Sequence, residues 1–262
     1  VVARGMGKCC IAGCGDITVD AQGKRFTTEG GASIAEGEVI TLDGTTGEVM
    51  AGTVATVSSQ SHPEFQQVLE WADRYRRLRV RANAETPEEA AKARELGAEG
   101  IGLCRTEHMF FDPGRLTVMR EMIFAQTPSG RAAVLERLLP MQRQDFVQLF
   151  RIMEGQPVCI RLFDPPLHEF LPTTRSGQRE VAEALDLPVS DVERRVDSMS
   201  EYNPMLGLRG VRLGVTVPEI YDMQARAIFE ATLEASKDGE PVVPEVMIPL
   251  VSAKREVELV KA

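Results

Sequence analysis

Residues 85–107 read ETPEEAAKARELGAEGIGLCRTE, and this stretch decides the fold. Thr86 is placed to cap a helix, Pro87 stands at its first position, and Glu89 completes a capping box. Gly97 supplies the residue that ends such a helix. The apolar run 100–104 follows at once and predicts a strand, so the stretch is a helix feeding a strand, the repeating half of an α/β fold. Arg105 leaves that strand at its carboxyl end, followed by Thr106 and Glu107.

The same rhythm extends in both directions. Upstream, Phe65, Val68, Leu69 and Ala72 fall on one face of a helix starting near Glu64, and 79–84 predicts a strand. Downstream come a helical region over about 115–155, a strand over 158–163, and a helix from Ser190 with Glu193 three residues on. A short strand or loop at 206–211 precedes a helix opened by Pro218, with Ile220, Met223, Ala227 and Ile228 on one face. A strand over 246–251 and a helix capped by Ser252 close the chain. Five strands alternating with helices predict a parallel sheet with right-handed crossovers. That is too few for a complete eight-stranded barrel. The long stretch between the second and third strands predicts extra helices on the exterior or rim.

Residues 1–57 differ. They are rich in Gly, Thr and Val, with extended runs at 10–11, 17–19, 39–42 and 49–51. Asp43-Gly44-Thr45-Thr46-Gly47 is a hairpin turn, since glycine accepts positive φ without steric cost. The expected organisation is a small β-rich unit over 1–57, a linker and helix over 58–79, and the α/β region over 80–262.

A net charge of −9 argues against non-specific binding to nucleic acid, and the run Arg74, Arg76, Arg77, Arg79, Arg81 reads as a solvated surface. No apolar run approaches the ~20 residues that span a bilayer. The five cysteines are Cys9, Cys10, Cys14, Cys104 and Cys159; their odd number and irregular spacing predict reduced thiols and a cytoplasmic setting. Cys104 and Cys159 read as small core residues on strands. The chain opens Val-Val-Ala-Arg-Gly without an initiator methionine, which points to a segment of a longer or processed protein.

Three arginines carry the chemistry. Arg105, Arg161 and Arg209 each stand at or near the end of a short apolar run. The guanidinium fork binds phosphate and carboxylate bidentately, so three at one pocket would suit a small polyanion. In β/α barrels such a pocket lies at the carboxyl ends of the strands. The plainer alternative is pairing with neighbouring carboxylates such as Glu107, Asp164 or Glu169. His108 and His168 read as supporting or structural groups, and His62 carries no signal. Arg4-Gly5-Met6-Gly7-Lys8-Cys9 is not a phosphate loop, because a Walker sequence needs glycine at Val2 and Ser or Thr after Lys8, and a dinucleotide loop needs glycine at Cys10.

GIGLCRTEHMFF (100–111), IRLFDPPLHEFLP (160–172), NPMLGLRG (203–210) and EVMIPLV (245–251) occur in this order. Together they resemble the phosphoenolpyruvate-binding barrel of the phosphoenolpyruvate-utilising phosphotransferases. The stretch after Arg161 is most similar to the pyruvate, phosphate dikinase branch, with the pyruvate, water dikinases as the rival within the family. A non-catalytic phosphoenolpyruvate-binding module is the rival outside it. VVARGMGKCCIAG (1–13) resembles the tail of the family's swivelling phosphohistidine domain. Leu208 stands where many members have histidine. The resemblance implies a partial (β/α)8 barrel of about five strands. It also implies that Arg105, Arg161 and Arg209 hold the phosphoryl and carboxylate groups of phosphoenolpyruvate. The implied reaction converts ATP, phosphate and pyruvate to AMP, diphosphate and phosphoenolpyruvate through a phosphohistidine. It implies Mg2+ as cofactor and a homodimeric parent. The carrier histidine would lie three residues before Val1, and the magnesium-binding acids and proton-donating cysteine on later strands. No catalytic residue or metal ligand is then expected within the 262 residues, and no turnover by them alone.

Overall fold

The computed structural model describes residues 9–55, 63–237 and 239–261. The glycine-rich start at 4–8, and all of the expected linker at 58–63 except Pro63, lie outside them. The chain divides into two compact units, Val1–Arg77 and Leu78–Ala262.

In the first unit β1 (Ile17–Asp20), β2 (Arg25–Thr28) and β3 (Ser33–Ala35) form an antiparallel sheet, and β4 (Ile40–Asp43) pairs with β5 (Glu48–Ala51). The turn forms at the residues that signalled it. The Asp43 carboxylate accepts from the Thr45 and Thr46 amides at 2.8 and 3.3 Å, and Gly47, at φ 82°, donates its N–H to the Asp43 carbonyl at 2.8 Å. Strands β2 and β3 had no sequence expectation, and 10–11 forms no strand. Helix α1 (Pro63–Tyr75) forms, with Phe65, Val68 and Leu69 exposed.

In the second unit β6 (Ala82–Asn83), β7 (Ile101–Arg105), β8 (Val158–Arg161) and β9 (Pro244–Met247) make one parallel sheet in that order. Helix α2 (Pro87–Glu95) starts as its capping residues dictate: the Thr86 hydroxyl accepts from the Glu89 amide at 3.2 Å. The helical region downstream is two helices, α3 (Pro113–Phe124) and α4 (Pro128–Ile152). Thr127 caps α4 by accepting from Gly130 N–H at 3.1 Å, with Pro128 at its first turn. Helix α5 (Arg175–Ala184), capped by Thr174, and α6 (Val189–Met199) fill the long stretch between β8 and β9. The Ser190 cap is corrected: Ser190 lies inside α6, whose N-cap is Pro188.

The expected five strands are also corrected to four. Residues 206–211 do not join the ladder, because their backbone groups are used elsewhere. Leu208 N–H donates to the Glu201 carboxylate at 2.8 Å, Gly210 N–H to the Asp164 carbonyl at 2.8 Å, and Val211 N–H to the Pro249 carbonyl at 2.9 Å. Gly210 has φ 56°, off the extended conformation a strand needs. The segment leads into α7 (Val211–Thr216) and α8 (Pro218–Ala235). Ile220, Met223, Ala227 and Ile228 are buried, as the periodicity of α8 predicts. The last helix, α9 (Lys254–Lys261), is started from the other side: the Glu256 carboxylate accepts the Ser252 and Ala253 amides at 2.7 and 2.8 Å.

The core lies between the sheet and α3, α4 and α8. It holds Ile101, Cys104, Val158 and Ile160 from the strands, and Met119, Leu135, Phe146 and Ala227 from the helices. Each fully buried large side chain contributes about 1.5–3 kcal/mol. Ion pairs tie α4 to α8 at the rim of this core: Arg131 to Glu219 at 2.9 Å and Arg143 to Glu230 at 3.0 Å.

Candidate functional site

Arg105 is the last residue of β7 and Arg161 the last of β8, and the two are direct partners in the parallel ladder. Parallel pairing therefore puts both guanidinium stems at the carboxyl edge of the sheet. Arg209 arrives from the 206–211 segment, which the Gly210–Asp164 bond ties to the chain just beyond β8. Both Pro165 and Pro166 are buried behind Asp164.

Asp164 joins two of the three arginines. Its carboxylate lies 3.0 Å from Arg161 NH1 and 2.7 Å from Arg209 NH2, and it accepts from Arg209 Nε at 3.4 Å. Glu107 takes the other side of Arg161 through NH2. Arg105 donates to Glu85, which also faces His108 Nδ1 at 3.1 Å. The structure thus brings Arg161 and Arg209 onto one carboxylate. Arg105 lies beside them in register, with its guanidinium turned to Glu85. Two of the three carboxylates named from sequence, Glu107 and Asp164, are partners; Glu169 is exposed and forms no ion pair. Glu85 was missed, though it stands just ahead of the Thr86 cap, where β6 ends.

Helix α8 positions the arginine carriers from below. Gln224 accepts from Phe163 N–H at 2.7 Å and donates to the Thr106 hydroxyl at 2.8 Å. Tyr221 donates its hydroxyl to the Phe163 carbonyl at 3.0 Å. These bonds hold Thr106, between Arg105 and Glu107, and Phe163, between Arg161 and Asp164. Gln224 and Thr106 have no solvent exposure, so each bond is made without competition from water. Neither α8 residue was legible as functional, because on the sequence both belong to an ordinary apolar helix face. Phe163 also packs against Phe110 and Phe170, with ring centroids 5.8 and 5.4 Å apart.

The electrostatics follow from these contacts. Hydrogen bonding to Asp164 holds the Arg209 guanidinium even more firmly protonated than usual. Burial pushes the Tyr221 phenol up, so it stays a hydrogen-bond donor. Burial likewise pushes up the Cys104 and Cys159 thiols, which lie in β7 and β8 as small apolar residues. Arg161 keeps a buried Nε without a partner, and Glu107 a buried Oε2 in the same condition. Buried polar atoms in native proteins are nearly always satisfied, so an unsatisfied N–H on a cation marks a place for an acceptor. The carboxylates do not fit a magnesium ion. Each is already paired with arginine, and among the described residues no three Asp, Glu, His or Cys side chains converge as metal ligands.

A parallel α/β unit that gathers arginines at the carboxyl ends of its strands is an anion-binding α/β protein. Residues 59–262 match the family described as PEP-utilising enzyme, PEP-binding domain, and residues 1–47 match PEP-utilising enzyme, mobile domain. The chain belongs to the PEP-utilising enzyme family. It is 52% identical over 263 residues to a pyruvate, phosphate dikinase of Rhizobium meliloti (strain 1021), covering 100% of this chain and 29% of that protein. It is 47% identical over 262 residues to the pyruvate, phosphate dikinase of Clostridium symbiosum, covering 100% of this chain and 30% of the relative. Over 258 residues it is 51% identical to pyruvate, phosphate dikinase 1, chloroplastic, of Arabidopsis thaliana, covering 98% and 27%. The chain therefore spans about three-tenths of the length of the curated relatives it matches. The likeness to this branch, read first from the stretch after Arg161, extends along the whole chain.

Proposed function

We propose that the chain is the phosphoenolpyruvate-binding part of a pyruvate, phosphate dikinase, and that Arg105, Arg161 and Arg209 hold the substrate's phosphoryl and carboxylate groups. The observation that carries this reading is the meeting of Arg161 and Arg209 on Asp164, with Arg161 Nε buried and unpartnered beside them. The match to a PEP-binding domain supports it. The parallel order of β6 to β9 supports the finer reading that this sheet is part of a (β/α)8 barrel.

In the parent reaction a phosphohistidine carries the phosphoryl group between ATP chemistry and pyruvate. When phosphoenolpyruvate gives up its phosphoryl group, the P–O bond to the enolate oxygen breaks, and pyruvate is left after protonation at carbon. The work of this chain is to bind and orient. The arginines neutralise charge on the phosphoryl oxygens, while Glu85, Glu107 and Asp164 hold the guanidinium groups in place until an anion competes for them. Magnesium, when bound in the parent, supplies further charge neutralisation; its ligands are residues other than these paired carboxylates.

Titration of phosphoenolpyruvate into the folded chain, followed by calorimetry, tests the reading. Arg161→Ala or Arg209→Ala is expected to weaken binding about ten- to a hundredfold, from the ~1.5–3 kcal/mol of a charged hydrogen bond. The 262-residue chain is expected to bind without turnover. A folded chain that does not bind phosphoenolpyruvate rejects the reading, and measurable turnover rejects the claim that the reacting groups lie elsewhere.

A further inference from the structure

Helices α3, α4 and α6, the short helical turn Leu167–Phe170 and the loop 200–208 line a cavity of about 380 Å3. This is within the ~300–1,000 Å3 range of small-molecule pockets. Among the described residues seven buried side-chain polar atoms lack a partner, and three of them, Arg131 Nε, His168 Nδ1 and Glu201 Oε2, belong to residues that line this cavity. Two of the other four, Arg161 Nε and Glu107 Oε2, belong to the arginine cluster. The cavity therefore carries the same mark of unmet hydrogen bonding as the candidate substrate site, on a different set of residues.

The signs of its charges define the ligand. Arg195 donates to a neutral carbonyl, that of Ile123, at 3.0 Å. Glu201 accepts from a neutral amide, that of Leu208, at 2.8 Å through Oε1. Arg131 is balanced by Glu219 at 2.9 Å. One cation and one anion remain without an opposite charge, so the complementary ligand is neutral overall with separated charges. A phosphate or a simple carboxylate would satisfy Arg195 but be repelled by Glu201. The rest of the lining includes Met122, Ile123, Leu167 and Val217, which suits a short aliphatic group.

We propose that this cavity binds a free aliphatic α-amino acid. The ligand's carboxylate meets Arg195 and Arg131 Nε, and its ammonium meets Glu201 Oε2. Leu208, the residue before Arg209, forms part of the wall, so the occupant touches the loop that carries the third arginine.

The test uses the complete protein as its gene encodes it. L-alanine, L-valine and L-leucine are titrated by calorimetry, with isovalerate and inorganic phosphate as comparisons, and the imidazole nitrogens of His168 are followed by NMR. At least one amino acid is expected to bind and to shift His168. Glu201→Gln keeps an oxygen for the Leu208 amide but loses the charge, and is expected to weaken binding at least tenfold. Arg195→Gln, at an exposed position, is expected to do the same and guards against misfolding of the first variant. The proposal is overturned if none of the three amino acids binds, if isovalerate or phosphate binds as tightly, if His168 does not respond, or if the Arg195 variant binds unchanged.

Discussion

In Val1–Arg77 no described residue is buried, and the pair Lys24–Glu36, 3.1 Å apart, has side chains 74% and 67% exposed. In Leu78–Ala262 the Asp164 side chain is 5% exposed and serves two arginines. The same chemical interaction does different work in the two places. In solvent an ion pair contributes little, because water and salt answer each charge equally well. Beneath a core the pair is expensive to assemble and costly to break, so it fixes geometry. The second unit can hold guanidinium groups in one arrangement because Gln224, Tyr221 and three packed phenylalanines hold the backbone that carries them.

The largest expected effect comes from removing the shared anion. Asp164→Ala leaves Arg161 and Arg209 without their common partner and should cost about 3–5 kcal/mol of stability in urea unfolding of the second unit. Glu36→Gln in the first unit should leave its melting unchanged. Equal losses at the two sites would erase the contrast. Next, Gln224→Leu strands the Phe163 amide, at about 1–3 kcal/mol, with a further loss at Thr106. It should also loosen phosphoenolpyruvate binding without touching an arginine, and a variant with native affinity would show that α8 does not position the site. Gly210→Ala places a Cβ 3.0 Å from the Pro249 carbonyl oxygen at φ 56° and should cost about 1–3 kcal/mol. A native-like melting temperature would mean that the Arg209 loop shifts freely.

The smallest effect belongs to the first unit. Its turn amides hold the Asp43 carboxyl below its usual 3.8. A depressed folded value means that the contribution is complete above the ordinary carboxylate range and is lost as pH falls through the lower folded value. The Thr45 and Thr46 amide resonances should therefore move only below about pH 4, and Asp43→Asn should abolish the movement. Amides that titrate with an unshifted midpoint would remove this turn from the account.

Local signals in the sequence were reliable where one residue acts on its near neighbours. Thr86 with Glu89, Asp43 with Gly47, and the buried face of α8 all formed where their spacing placed them. The failures had a common cause. Leu206–Val211 reads as a strand by composition, yet its amides bond to Glu201, Asp164 and Pro249, none of which is a strand neighbour. Ser190 reads as a cap, yet the helix already begins with Val189. The caps of α4 and α5, Thr127 and Thr174, were present in the sequence and passed over inside a long helical pattern.

From the sequence alone came the alternation of helix and strand, the three arginines, and two of their carboxylate partners, because periodicity, capping chemistry and charge are properties of short stretches. The tertiary structure decided that Arg161 and Arg209 share Asp164 while Arg105 turns to Glu85, and that Gln224, 118 positions from Thr106, supports the site. Those choices depend on which backbone groups are left over when strands pair and helices pack, and a linear sequence does not show which donors and acceptors will meet.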